Sequence, residues 1–85
     1  EIFSKKWKRE AFKFVFEESG DPDRFVSGYE IYKKYGVRSL STAYSFIRRM
    51  VNLGVFRKPV EGPSHGVRVT DSGKSLYEKL RPLLE

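Results

Sequence analysis

Chain breakers recur so often in this sequence that they dictate its architecture. Asp21-Pro22-Asp23, Gly36, Gly54 and the run Glu61-Gly62-Pro63-Ser64-His65-Gly66 divide it into segments that each hold one helix or one short strand pair. At 85 residues such a chain is a single domain, residues 1–85, close to the size at which one core only just suffices for stability.

Within those limits the elements follow from capping residues and apolar spacing. Ser4 is a candidate cap for a first helix that runs to about Ser19, with Gly20 ending it. Trp7, Ala11, Phe14 and Val15 form one apolar stripe, while Phe12 and Phe16 form an adjoining one, so the apolar arc is wider than a single small core face covers. Either another helix of the same chain or a second subunit must cover the second stripe. Phe25 and Val26 read as a short strand. Ser27-Gly28-Tyr29-Glu30 then has the spacing of a capping box for a second helix, with Ile31, Tyr32 and Tyr35 inward and Gly36 at the left-handed closing position. By the same helical spacing Trp7, Tyr29 and Phe46 read as core.

Ser39 or Ser41 caps a third helix extending to Leu53, with Ala43, Ile47, Met50 and Val51 inward. Its opposite face carries Thr42, Tyr44, Ser45, Arg48, Arg49 and Asn52, all donors or cations, with no carboxylate. That chemistry suits phosphates and base edges. Val55–Val60 and Val67–Thr70 read as a β-hairpin around the turn-rich run. Thr70 or Asp71 caps a last helix through Leu84, apolar at Leu76, Tyr77, Leu80, Leu83 and Leu84. The expected fold is mainly α with a small β-hairpin. Helix, short strand, helix, tight turn, helix, hairpin, helix is the order of a winged helix-turn-helix, whose third helix enters the major groove.

Charge placement sharpens the expectation. Between Lys33 and Arg68 eight basic residues (Lys33, Lys34, Arg38, Arg48, Arg49, Arg57, Lys58, Arg68) face one acid, Glu61, so this window carries +7 of a net +6 and the remainder sums to −1. A concentrated excess of this kind is the electrostatic footprint of a protein for a polyanion. A second cluster, Lys5, Lys6, Lys8 and Arg9, sits at a helix N-terminus, where cations oppose the dipole; it reads as a solvated face, or as a backbone contact if a dimer brings it near.

Other classes fall away. With no cysteine and one histidine there is no disulfide framework, thiolate nucleophile or histidine–cysteine zinc site. No apolar stretch has the length of a membrane span and no signal peptide is evident, so a cytoplasmic, DNA-associated protein without cofactor is expected. No nucleophile, carboxylate pair or metal cluster marks an enzyme. A protein-interaction module on the same fold is the competing reading.

The chain resembles the PadR group of winged-helix DNA-binding proteins. The likeness rests on Gly28-Tyr29-Glu30-Ile31 opening the second helix, on Ser41-Thr42-Ala43-Tyr44 with the run Met50 to Val55, and on Thr70-Asp71-Ser72-Gly73 at the strand-to-helix junction; it spans roughly residues 25–80. Ser45 departs from it, standing where the group usually has proline. A looser likeness is to small PadR-like proteins of archaeal plasmid partition, which bind centromere DNA. The resemblance implies a protein that binds double-stranded DNA, acting as a transcriptional regulator or as a partition component alongside further partition or regulatory proteins. The long C-terminal dimerisation arm of many PadR regulators needs residues that this sequence does not show; a homodimer is expected instead from the apolar faces of the first and last helices.

The expected contacts can be named. Ser41, Thr42, Tyr44, Ser45, Arg48, Arg49 and Asn52 would form the recognition-helix surface, with Arg48 the foremost candidate for a base contact because arginine pairs bidentately with guanine. Lys33, Lys34 and Arg38 would touch backbone, and Arg57, Lys58, His65 and Arg68 would serve the wing. Cations on exposed strands also discourage edge pairing, which is the duller reading of the hairpin set. Arg49 has an alternative too, as an ion-pair partner of Glu30 or another acid. A two-fold dimer would draw Phe12, Phe16, Leu80, Leu83 and Leu84 into its seam.

Overall fold

A serine side chain that accepts a main-chain amide starts each of the two central helices. In the computed structural model, which describes residues 5–58 and 66–84, Ser27 caps α2 (Gly28–Tyr35) by accepting from the Glu30 amide, while the Glu30 carboxylate accepts from the Ser27 amide. Ser39 caps α3 (Leu40–Asn52) by accepting from the Thr42 amide at 3.2 Å. Gly36, with φ of +59°, ends α2, and buried Val37 closes the turn by donating to the Tyr32 carbonyl. α3 ends at Leu53 and Gly54, with the Val55 amide returning to the Met50 carbonyl.

α1 (Lys6–Glu18) has no side-chain cap at Lys5, and Ser4 lies outside the described residues. Thr70 rather than Asp71 caps α4 (Asp71–Leu84), accepting from the Gly73 amide at 2.9 Å. Gly73 is dictated by packing, since a Cβ there would run into the Val55 carbonyl oxygen. Three short strands, β1 (Val26–Ser27), β2 (Phe56–Arg57) and β3 (Gly66–Val69), form an antiparallel sheet in the order β1-β3-β2. The registers are Val26↔Val67 and Phe56↔Val69. The short strand thus falls one residue later than its apolar pair implied, because Ser27 both pairs with Gly66 and caps α2. The protein is mainly helical with a small antiparallel sheet.

The core draws on every element: Ala11, Phe12 and Val15 from α1, Ile31 from α2, Ala43, Phe46, Ile47 and Met50 from α3, Phe56, Val67 and Val69 from the sheet, and Tyr77 from α4. The two aromatic stripes of α1 are both used within the chain. Phe12 is fully buried between Phe56 and Tyr77, at ring distances of 6.0 and 5.4 Å, and Phe16 stacks on Tyr77 at 4.0 Å. α4 therefore supplies the cover that the wide apolar arc required. This corrects the assignment of Phe12 to a subunit seam, since a fully buried ring offers no surface to another chain; Phe16, stacked on Tyr77, is only partly buried. On α4, Leu80 is half-buried and Leu83 is 77% exposed, while the Leu84 side chain lies outside the described residues. Tyr29 also departs from expectation, standing 52% exposed, because the covered stripe of this short helix runs through Gly28 and Ile31. Among the described residues no helix is long and apolar enough to cross a membrane.

Candidate nucleic-acid interface

α3 has a hydroxyl-rich start and an arginine-rich second half. Ser41, Ser45, Arg48, Arg49 and Asn52 are all exposed and share one face at steps of three to four residues, a stripe about 16 Å long at the helical rise. No acid lies anywhere in the helix, and neither Arg48 nor Arg49 takes part in an ion pair among the described residues. An arginine held on a helix without a carboxylate partner keeps its full set of donors for a ligand.

Two of the expected contact residues have work inside the protein. The Thr42 hydroxyl lies 2.8 Å from the Ser39 hydroxyl and so belongs to the cap. The half-buried Tyr44 ring lies against the start of α2, where a Cβ on Gly28 would come within 2.7 Å of it. Gly28 and Tyr44 together set how closely α2 approaches α3. Among the backbone candidates, Arg38 is exposed in the turn between these helices. Lys33 and Lys34 are exposed but stand over aromatic rings, Lys33 over Tyr29 at 5.9 Å and Lys34 over Phe14 of α1 at 5.1 Å.

The hairpin splits its cations into two kinds. Arg57 and Lys58 are exposed directly beyond α3. Arg68, only 9% exposed, is turned inward: its guanidinium donates to the carbonyls of Ser19 (2.7 Å), Asp21 (3.1 Å) and Pro22 (2.6 Å). This corrects its assignment to the wing surface. The Ser19 carbonyl at the C-terminus of α1 carries partial negative charge and needs a donor, and a guanidinium with its fork of N–H groups serves it together with two carbonyls of the turn that follows. The same arrangement relieves the like-charge register Arg57↔Arg68. Buried Ser19 completes the junction, donating to the Val15 carbonyl and accepting from the Val69 amide. His65 lies outside the described residues.

Arg24, which no motif marked, is the second internal arginine. It donates to Glu18 at 2.9 Å, to the Phe25 carbonyl at 2.6 Å and to both carboxylate oxygens of Glu30. Hydrogen bonding to Arg24, with further help from the Ser27 amide, holds the Glu30 carboxyl below its ordinary range, and Glu30 in turn raises the Arg24 guanidinium. Glu30 is thus the partner of Arg24, which leaves Arg49 exposed and outward. A signal for this did exist: Glu18 and Glu30 each lie six residues from Arg24 across turn residues, a distance the sequence pattern alone does not close.

No family model, curated protein or solved structure matches the chain. Its reading rests on its own geometry. Lys74 adds one residue that the charge window left out: with Arg57, Arg68, Val69, Thr70 and Asp71 it lines a polar pocket of about 370 Å³ at the root of the hairpin. The opposite charge gathers on α1, where Glu10, Glu17 and Glu18 border a separate pocket of about 590 Å³ with Lys13, Lys34, Phe14 and Tyr35. There burial, reinforced by Glu10 and Glu17, pushes the Tyr35 phenol up to about 12; its hydroxyl donates to the Glu10 carbonyl at 3.1 Å.

Proposed function

We propose that the chain is a winged helix-turn-helix protein that binds double-stranded DNA site-specifically as a homodimer on an inverted repeat, as a PadR-like regulator or as a centromere-binding partition component. The observation that carries this reading is the exposed, carboxylate-free face of α3, with Ser41, Ser45, Arg48, Arg49 and Asn52 on one stripe. A major groove about 12 Å wide admits one such helix. Arg48 is the residue assigned to a base edge; Arg38, Arg57 and Lys58 are assigned to phosphates on either side, fixing register without reading sequence. The dimer seam, relieved of the buried Phe12, is assigned to the partly buried Phe16 and Leu80 and the exposed Leu83.

Selection of bound duplexes from a random DNA pool at near-physiological salt tests the whole reading. An inverted repeat with half-sites about 34 Å apart is the expected result. Retention without a consensus would reduce the protein to a non-specific binder, and no retention would turn the α3 face over to a protein partner. Light scattering at micromolar concentration tests the dimer separately, a monomer refuting it.

A further inference from the structure

The start of α2 borders the outward face of α3. Tyr44 stands three residues after Ser41 and four before Arg48, so helical spacing puts it on their side of α3, and its ring lies within 2.7 Å of where a Cβ on Gly28 would be. The next residue is Tyr29, half in solvent. One turn further along the same edge of α2 is exposed Lys33, its ammonium 5.9 Å from the centre of the Tyr29 ring. Among the described residues the Tyr29 hydroxyl makes no hydrogen bond and Lys33 no ion pair.

The acids near α2 lie on its other side. At about 100° per residue, Tyr29 and Lys33 fall on one side of Gly28, while Lys34 falls on the other, over Phe14 of α1 and beside the pocket bordered by Glu10, Glu17 and Glu18. Glu30 comes between the two lysines, and Arg24 and the Ser27 amide already hold its carboxylate.

We infer that Tyr29 is a phosphate contact, its hydroxyl donating to a backbone oxygen of the duplex that lies on α3, with the Lys33 ammonium beside it on the same strand. The inference rests on the DNA reading above and adds to it a neutral donor from α2, on the Ser41–Arg48 flank of the recognition face. The first helix of a helix-turn-helix crosses the backbone, and tyrosine hydroxyls are among the groups that bond phosphate oxygens. A ring left half in solvent adds little to the core; here it carries a free donor and steadies a cation over its face. Being neutral, that donor adds affinity without displacing a counterion, whereas Lys33 displaces one.

Fluorescence anisotropy of Tyr29→Phe, Tyr29→Ala and Lys33→Gln tests this on a duplex that the parent retains and on single-base variants of it, over a range of salt. Tyr29→Phe keeps the ring and should bind all these duplexes about fivefold more weakly, with the slope of log affinity against log salt unchanged. Tyr29→Ala should lose at least as much, and Lys33→Gln should make the slope shallower by about one. Circular dichroism melting confirms that each variant folds. A Tyr29→Phe variant that binds as tightly as the parent overturns the inference and leaves the DNA reading standing. A loss that depends on which base is present also overturns it, since Tyr29 would then read sequence. A parent that retains no duplex overturns both.

Discussion

Replacing Arg68 by alanine is expected to unfold the protein more readily rather than to weaken a DNA contact. The guanidinium makes three hydrogen bonds to main-chain carbonyls, one to buried Ser19 and two to the exposed residues Asp21 and Pro22. Removing the donor from the Ser19 carbonyl leaves a buried acceptor unsatisfied, at a cost of about 1–3 kcal/mol. The two exposed carbonyls regain water, and each loses about 0.5–1 kcal/mol. The sum is about 2–5 kcal/mol, which at about 4–8 °C per kcal/mol for a domain of this size lowers the melting temperature by about 8–40 °C. Urea unfolding followed by circular dichroism measures it, and Arg68→Lys is the control: one ammonium on a different geometry does not reach three carbonyls, so it should recover little of the loss. A change below about 1 kcal/mol, together with weaker duplex binding by a fully folded variant, would refute the reasoning and return Arg68 to the surface.

Arg48→Ala should leave the melting temperature unchanged and cost about 1–3 kcal/mol on the preferred duplex while blunting sequence preference; equal losses on all duplexes would make it a phosphate contact. Gly28→Ala should destabilise by about 1–3 kcal/mol through its clash with the Tyr44 ring, and a double-mutant cycle with Tyr44→Ala should recover much of that; strict additivity would show that the two do not touch. Glu30 has a depressed carboxyl, so its contribution is present above the unfolded carboxylate range and is lost as pH falls through the lower folded value. Arg24→Gln should therefore flatten the acid limb of the urea midpoint against pH, and an unaltered limb would exclude the pair as its source.

The parts of this fold that the sequence makes legible are those decided by neighbours. Ser27 with Glu30, Ser39 with Thr42, and Gly36 each act across at most a few residues, and all three do what their spacing implies. The outward stripe of α3 belongs with them, since helical periodicity and the lack of acids already define it. What the pattern does not reveal is settled by partners far along the chain. Phe12 is apolar whether α4 or a second subunit covers it, and only the placement of Phe56 and Tyr77 decides it. Arg68 looks like any strand arginine until three carbonyls 46 to 49 residues away converge on it. Tyr29 fails for the opposite reason: helical spacing predicts a stripe, and an eight-residue helix has neighbours for only part of it.

The central position of β3 bears on how the chain reaches this state. β3 pairs on one side with β2, close in sequence, and on the other with β1, across a closed loop of about forty residues that contains both α2 and α3. Contacts between α2 and α3 are local and are expected to form early, whereas the β1–β3 register joins residues about forty apart and is expected later. Native-state hydrogen exchange should consequently rank the amides of β1 and β3 with global unfolding and let the C-terminal turn of α4 open first. The strand that carries Arg68 thus joins the two ends of the fold, and a chain without it would keep the contacts of α1 with the central helices, such as the Tyr35 hydroxyl on the Glu10 carbonyl, but lose the sheet and the donors that Arg68 supplies beyond α1.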